Sequence, residues 1–202
     1  MLAPGAIYYH NGETLGKWLS DTLLARLNAL GPGVIRQVAI QGAGQFPGPG
    51  GTTMVMFTDG RSKPKPAYKS IVASIPYRDA RILLTGDIYI RYEDTLVADP
   101  TIAPHLVTNV LKITHHGSEH GTGTNFLEQA APLISVASTA EDVDHRLERV
   151  VKRRLRPFGV VFDTYGIGRH ITVRTDGFQR LLGENRGVLF EVELSLPGVL
   201  GS

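Results

Sequence analysis

Short apolar runs broken by Gly, Pro and Asp fill most of this chain, and one long helical stripe stands near its start. Trp18, Leu19, Thr22, Leu23, Arg26, Leu27 and Leu30 recur at the spacing of one helix face, with Thr14 placed to cap the helix and Gly31-Pro32-Gly33 placed to stop it. This spacing predicts an amphipathic helix over 15–30, with short strands over 6–9 and 34–40. Residues 42–51 are rich in Gly and Pro and predict a loop. That loop lacks the Gly-Lys-Ser/Thr ending of a phosphate cradle, so no nucleotide role is assigned to it. Residues 53–57 alternate as a strand does. A second loop over 59–66 carries Arg61, Lys63 and Lys65, cations that suit plain solvation or contact with an anionic substrate.

Farther along, 70–75 and 81–84 predict a hairpin across Arg78-Asp79, followed by a strand over 110–113. A short helix is expected over 125–130 with Thr124 or Asn125 as its cap. A strand follows over 133–137. After Asp144 comes a helix with Leu147, Val150, Val151 and Leu155 inward and Arg146, Arg149, Lys152 and Arg153 outward, ended by Pro157. Such a basic face is either simply solvated or able to track a phosphate backbone. Strands over 160–163 and 171–174, a turn at Thr175-Asp176-Gly177 and a strand over 187–196 complete the pattern.

Composition narrows the classes. A chain of 202 residues with 42% hydrophobic content can bury one good core, so 1–202 is read as a single domain. The chain contains no cysteine, which excludes disulfides and thiolate metal sites; any metal must sit on His, Asp or Glu. A net charge of +2 does not by itself argue for nucleic acid. No run approaches the roughly 18 apolar residues of a membrane helix. The Met-Leu-Ala-Pro-Gly start lacks the features of a signal peptide. The default expectation is a cytoplasmic protein, although a domain excised from a larger membrane protein would read the same.

Two stretches carry the chemistry: Ile82-Leu83-Leu84-Thr85-Gly86-Asp87 and Leu111-Lys112-Ile113-Thr114-His115-His116-Gly117-Ser118. Each is an apolar run that ends in small, metal-competent residues, as a buried strand bounded by a turn does. Together they bring a carboxylate and imidazoles to one edge of a sheet, the donor mixture of a Zn, Mn or Fe site. In the bland alternative, Asp87 caps a turn and His115 and His116 satisfy buried backbone groups.

The spaced pair LLTGD and LKITHHGS resembles the second half of a metallo-β-lactamase-fold hydrolase, nearest to the ComEC-like branch of competence (DNA-uptake) proteins. The similarity is strongest over 68–177. It implies an α/β protein with an αββα sandwich that is incomplete at its N-terminal half. It also implies a metal site on Asp87 as bridging carboxylate and on His115 or His116 as imidazole, with His115 favoured as the first residue past the strand. His120 and Glu93 are accessory candidates. The expected cofactor is Zn or Mn, and the expected activity is hydrolysis of phosphodiesters such as DNA by a metal-activated water.

Departures from the family pattern temper this. The His-x-His-x-Asp-His motif is absent, Lys69 stands where relatives often have Asn, and Val143, not His145, aligns with a family histidine. A binuclear site needs more donors than one Asp and one or two His. The competing expectations are a truncated chain, a partner chain or second copy that completes the fold, and a catalytically inactive module acting in protein interaction. An amide or thioester hydrolase of the same fold is a further alternative.

Overall fold

The computed structural model describes residues 8–10, 29, 35–37, 43–48, 51–58, 70–140, 146–182 and 185–195. In chain order they form β1 (Tyr8–His10), β2 (Ile35–Gln37), β3 (Ala43–Pro47), β4 (Thr53–Phe57), β5 (Val72–Tyr77), β6 (Ala80–Leu84) and α1 (Ile90–Ala98). There follow β7 (Val110–Lys112), α2 (Thr124–Ala130), β8 (Ile134–Ala137), α3 (Arg149–Leu155), β9 (Val160–Asp163) and the single turn α4 (Thr164–Ile167). The chain then runs through β10 (His170–Arg174), β11 (Gln179–Leu182), β12 (Asn185–Val188) and β13 (Glu191–Ser195).

Strands β3 to β9 lie side by side in chain order as one seven-stranded sheet. The pairs from β3 to β6 are antiparallel and those from β6 to β9 are parallel. Parallel neighbours need a crossover, and α1, α2 and α3 supply the three crossovers here. This is an α/β architecture with a mixed sheet. Strands β1 and β2 pair in parallel, while β10 with β13 and β11 with β12 make antiparallel ribbons. Among the described residues, no helix is long and apolar enough to cross a membrane.

The core lies between one face of the sheet and the crossover helices. Val55, Phe57, Val72, Leu83, Leu111 and Ala137 contribute the sheet side; Tyr92, Leu96, Phe126, Leu127, Val151 and Leu155 contribute the helix side. Strand parity explains the choice of side chains: Leu83 is fully buried, whereas its neighbour Leu84, on the other face, is 42% exposed. Each large apolar side chain buried this way stabilises the fold by about 1.5–3 kcal/mol.

Three sequence expectations need correction. The Gly- and Pro-rich stretch 42–51 is not all loop, because Ala43–Pro47 pairs with β4, Phe46 opposite Met54. It is the edge strand of the sheet, where the missing N–H of Pro47 is tolerated, and a Gly48 N–H bond to Thr52 O (2.7 Å) closes the turn. The single strand over 187–196 is two, β12 and β13, which pair with different partners; β11 was not anticipated.

The third correction concerns α2. Its N-cap is Gly123, which has no side chain to cap with. Glu93 of α1 does the work instead, its two oxygens accepting the N–H groups of Thr122 and Gly123 at 2.7 Å each. The helix over 15–30 (apart from residue 29), the cationic loop over 59–66, Lys69 and the 142–145 segment lie outside the described residues.

Glu93 is wholly buried, and loss of hydration pushes its carboxyl above the ordinary value of 4.5 despite those two N–H bonds. A raised folded value means that this group's contribution to stability is present at acid pH and is lost as pH rises from 4.5 through the folded value. Glu93→Gln should remove that slope. It should also cost about 1–3 kcal/mol, because the Gln amide nitrogen cannot accept the second N–H. Urea unfolding of both proteins from about pH 4 to about pH 8 checks both effects.

Candidate functional site

The parallel half of the sheet ends in a row of polar residues. Asp87 follows β6, His115 and His116 follow β7, Ser138 and Thr139 follow β8, and Asp163 ends β9. Sites in open α/β sheets characteristically form beyond the carboxyl ends of parallel strands.

Two glycines allow these turns to meet. Gly86 has a positive φ of 59°, and a Cβ there would sit 2.7 Å from Ser70 Cβ. Ser70 packs at this point and its Oγ accepts the Asp87 N–H at 3.0 Å. At the other turn, His115, His116 and Gly117 are all left-handed, with φ of 49°, 55° and 91°. A Cβ on Gly117 would fall 2.4 Å from Leu147 Cδ1, so only glycine fits beneath Leu147. Two consecutive non-glycine residues in this region cost about 1–2 kcal/mol each. Local bonds hold them there: His115 N–H to Gly86 O (3.0 Å), Ser118 N–H to His115 O (2.9 Å) and Glu148 N–H to Gly117 O (3.0 Å).

The result is a corner between Asp87 and His116. His116 Nε2 lies 3.6 Å from Asp87 Oδ1, and the opposite ring nitrogen, Nδ1, meets Ser138 O at 2.5 Å. A carbonyl can only accept, so Nδ1 carries the proton, and Nε2 of the neutral ring presents a lone pair. A lone pair and a carboxylate oxygen facing one another form a pair of acceptors that a shared donor or a cation can bridge. One positive group is already close. Lys112 Nζ stands 3.9 Å from the same Asp87 oxygen and donates to Gly86 O (3.2 Å) and Ile113 O (3.3 Å). Burial pushes the Lys112 ammonium below its ordinary range, while Asp87 acts in the opposite sense.

The other candidates sit elsewhere. His115 turns its ring against Tyr89, with centroids 5.2 Å apart, and its Nδ1 is buried without a hydrogen-bond partner. The His120 imidazole is largely exposed and approaches Glu119 at 4.0 Å; its carbonyl accepts the Ile90 N–H that starts α1. Both oxygens of Glu93 are engaged under α2, as described above. Arg154, which the basic helix face did not single out, donates to Glu119 O and Gly121 O at 3.1 Å and braces the loop after His116.

The donor chemistry fits a divalent cation in part. Two ligands of one tetrahedral zinc, each about 2.1 Å from it, lie about 3.4 Å apart, close to the 3.6 Å between Asp87 Oδ1 and His116 Nε2. The Ser138 carbonyl on Nδ1 is the kind of partner that orients imidazoles in known metal sites. Among the described residues, however, no group of three or more His, Asp or Glu converges as a metal site requires. No protein-family model matches this chain, and no curated protein matches it.

Burial pushes the His115 imidazole below its ordinary value of 6.5, with Asp87 pulling the other way and His116, His120 and Lys112 adding to the depression. A depressed folded value gives a contribution to stability that is present above 6.5 and lost as pH falls from 6.5 through the folded value. His115→Asn, which tolerates the left-handed backbone, should lose stability less steeply on acidification through that window than the wild type. Paired denaturation curves at successive pH values measure the difference. Identical slopes would show that His115 does not titrate differently on folding.

Proposed function

We propose that this chain is a metal-dependent hydrolase domain of the metallo-β-lactamase type, similar to the ComEC-like branch, and that its substrates are phosphodiesters such as DNA. What carries this reading is the meeting of Asp87 with His116 at the carboxyl end of β6 and β7, its imidazole oriented by Ser138 O. Asp87 and His116 would hold a Zn or Mn ion. When bound, such an ion supplies a water of lowered pKa and a Lewis acid for the scissile phosphate. The chain's own part is to hold two donors in register on adjacent turns. Lys112 adds a positive charge beside the carboxylate, suited to an anionic substrate oxygen. Further donors would come from outside this corner, including from a partner chain or second copy.

A second reading has its own support. The Lys112 ammonium beside Asp87, with no third donor among the described residues, suits a catalytically inactive interaction module whose corner is satisfied without metal.

Metal content of the purified chain separates the two. The hydrolase reading expects roughly one or two Zn or Mn ions per chain. It expects that content to fall severalfold in Asp87→Ala and His116→Ala, with DNA cleavage lost in parallel. A wild-type chain that takes up no metal after loading with either ion would leave the interaction module.

A further inference from the structure

A concavity lies between α3 and β9, built from residues other than those of the Asp87–His116 corner. It is an open cavity of about 590 Å³. Its apolar lining is Leu147, Val161 and Ile167; its cationic lining is Lys152, Arg153 and Arg156. The one carboxylate in the wall, Asp163, is already matched. Its Oδ1 accepts from Thr139 Oγ1 and from the Gly166 N–H, and its Oδ2 lies 3.7 Å from Lys152 Nζ. Arg153 and Arg156 form no ion pair and no side-chain hydrogen bond with any described residue. Two unmatched guanidinium groups at the wall of a concave, partly apolar pocket are unlike arginines scattered on a convex helix face. They share a cavity wall while remaining exposed, and their planar donor sets suit a tetrahedral oxyanion.

We propose that this pocket binds a phosphate group, held by Arg153 and Arg156, with the attached organic part lying on Leu147, Val161 and Ile167. Lys152 is tied to Asp163 and frames the pocket. The phosphate comes from a polynucleotide backbone or from a small phosphate compound; the chemistry of capture is the same. The site does not require metal at Asp87 and His116, so it stands or falls separately from the hydrolase reading.

Two probes are titrated into the intact chain in EDTA at low salt: inorganic pyrophosphate by calorimetry, and a fluorescently labelled single-stranded DNA of about twelve nucleotides by anisotropy. The pocket variant is Arg153→Gln/Arg156→Gln. The control, Arg91→Gln/Arg186→Gln, removes the same charge from exposed positions that do not line the cavity. Thermal melts by circular dichroism confirm that both variants remain folded. We expect at least one probe to bind the wild type, the pocket variant to weaken it at least about tenfold, and the control to stay within about twofold. Preference for the DNA identifies a backbone-binding pocket; preference for pyrophosphate identifies a pocket for a small phosphate compound. Binding of neither probe, or an equal loss in pocket and control variants, would overturn the proposal.

Discussion

One backbone hydrogen bond organises the candidate site: His115 N–H to Gly86 O, 3.0 Å long. It joins the exit of β6 to the exit of β7 one step beyond the last strand pair, Leu84 with Lys112. Thr85 Oγ1, donating to Lys112 O at 2.8 Å, fastens the same two strands just before it. Without this tie the Gly86–Asp87 and His115–His116 turns would leave the sheet independently. With it, the left-handed run from His115 to Gly117 is held, Leu147 closes over Gly117, and the His116 ring is brought to Asp87. The strain of two left-handed histidines, a few kcal/mol in all, is offset by bonds that exist only in this arrangement.

Much of the sheet could be read from periodicity. The hairpin around Arg78-Asp79 and the strands near 53–57, 110–113, 133–137 and 160–163 appear close to where alternation and apolar runs put them. What periodicity missed is physically instructive. β3 is short, Gly- and Pro-rich and lies at the sheet edge, where pairing on one side suffices and composition resembles a loop. β12 and β13 share one unbroken alternation, and only the change of partner between β11 and β10 divides them. The cap of α2 comes from Glu93, about thirty positions upstream, whereas capping rules search within a turn of the helix.

The residues of this corner stand out in the sequence, but which histidine faces Asp87 does not. Asp87, His115 and His116 stand out because each ends an apolar strand. Period-two logic, however, stops at Ile113. Three successive left-handed residues turn the chain so that His116, not the first histidine past the strand, faces Asp87, while His115 packs on Tyr89. Lys112 gave no signal as a site residue, since it sits inside a strand pattern. Its side chain leaves the face opposite Leu111 and curls over the strand end to reach Gly86 O. Ser138 acts through its carbonyl, which no side-chain pattern encodes.

The balance of charge in the corner decides what it can do. An ammonium and an imidazole lie within 4 Å of the Asp87 carboxylate oxygen, so any added cation must compete with Lys112 for it. The most direct test is the tautomer of His116, observed by long-range proton–nitrogen NMR with and without zinc. The account predicts a proton on Nδ1, hydrogen-bonded to Ser138 O, and a Nε2 resonance that shifts when zinc is added. A neutral ring protonated on Nε2, with a Nε2 resonance indifferent to zinc, would contradict it.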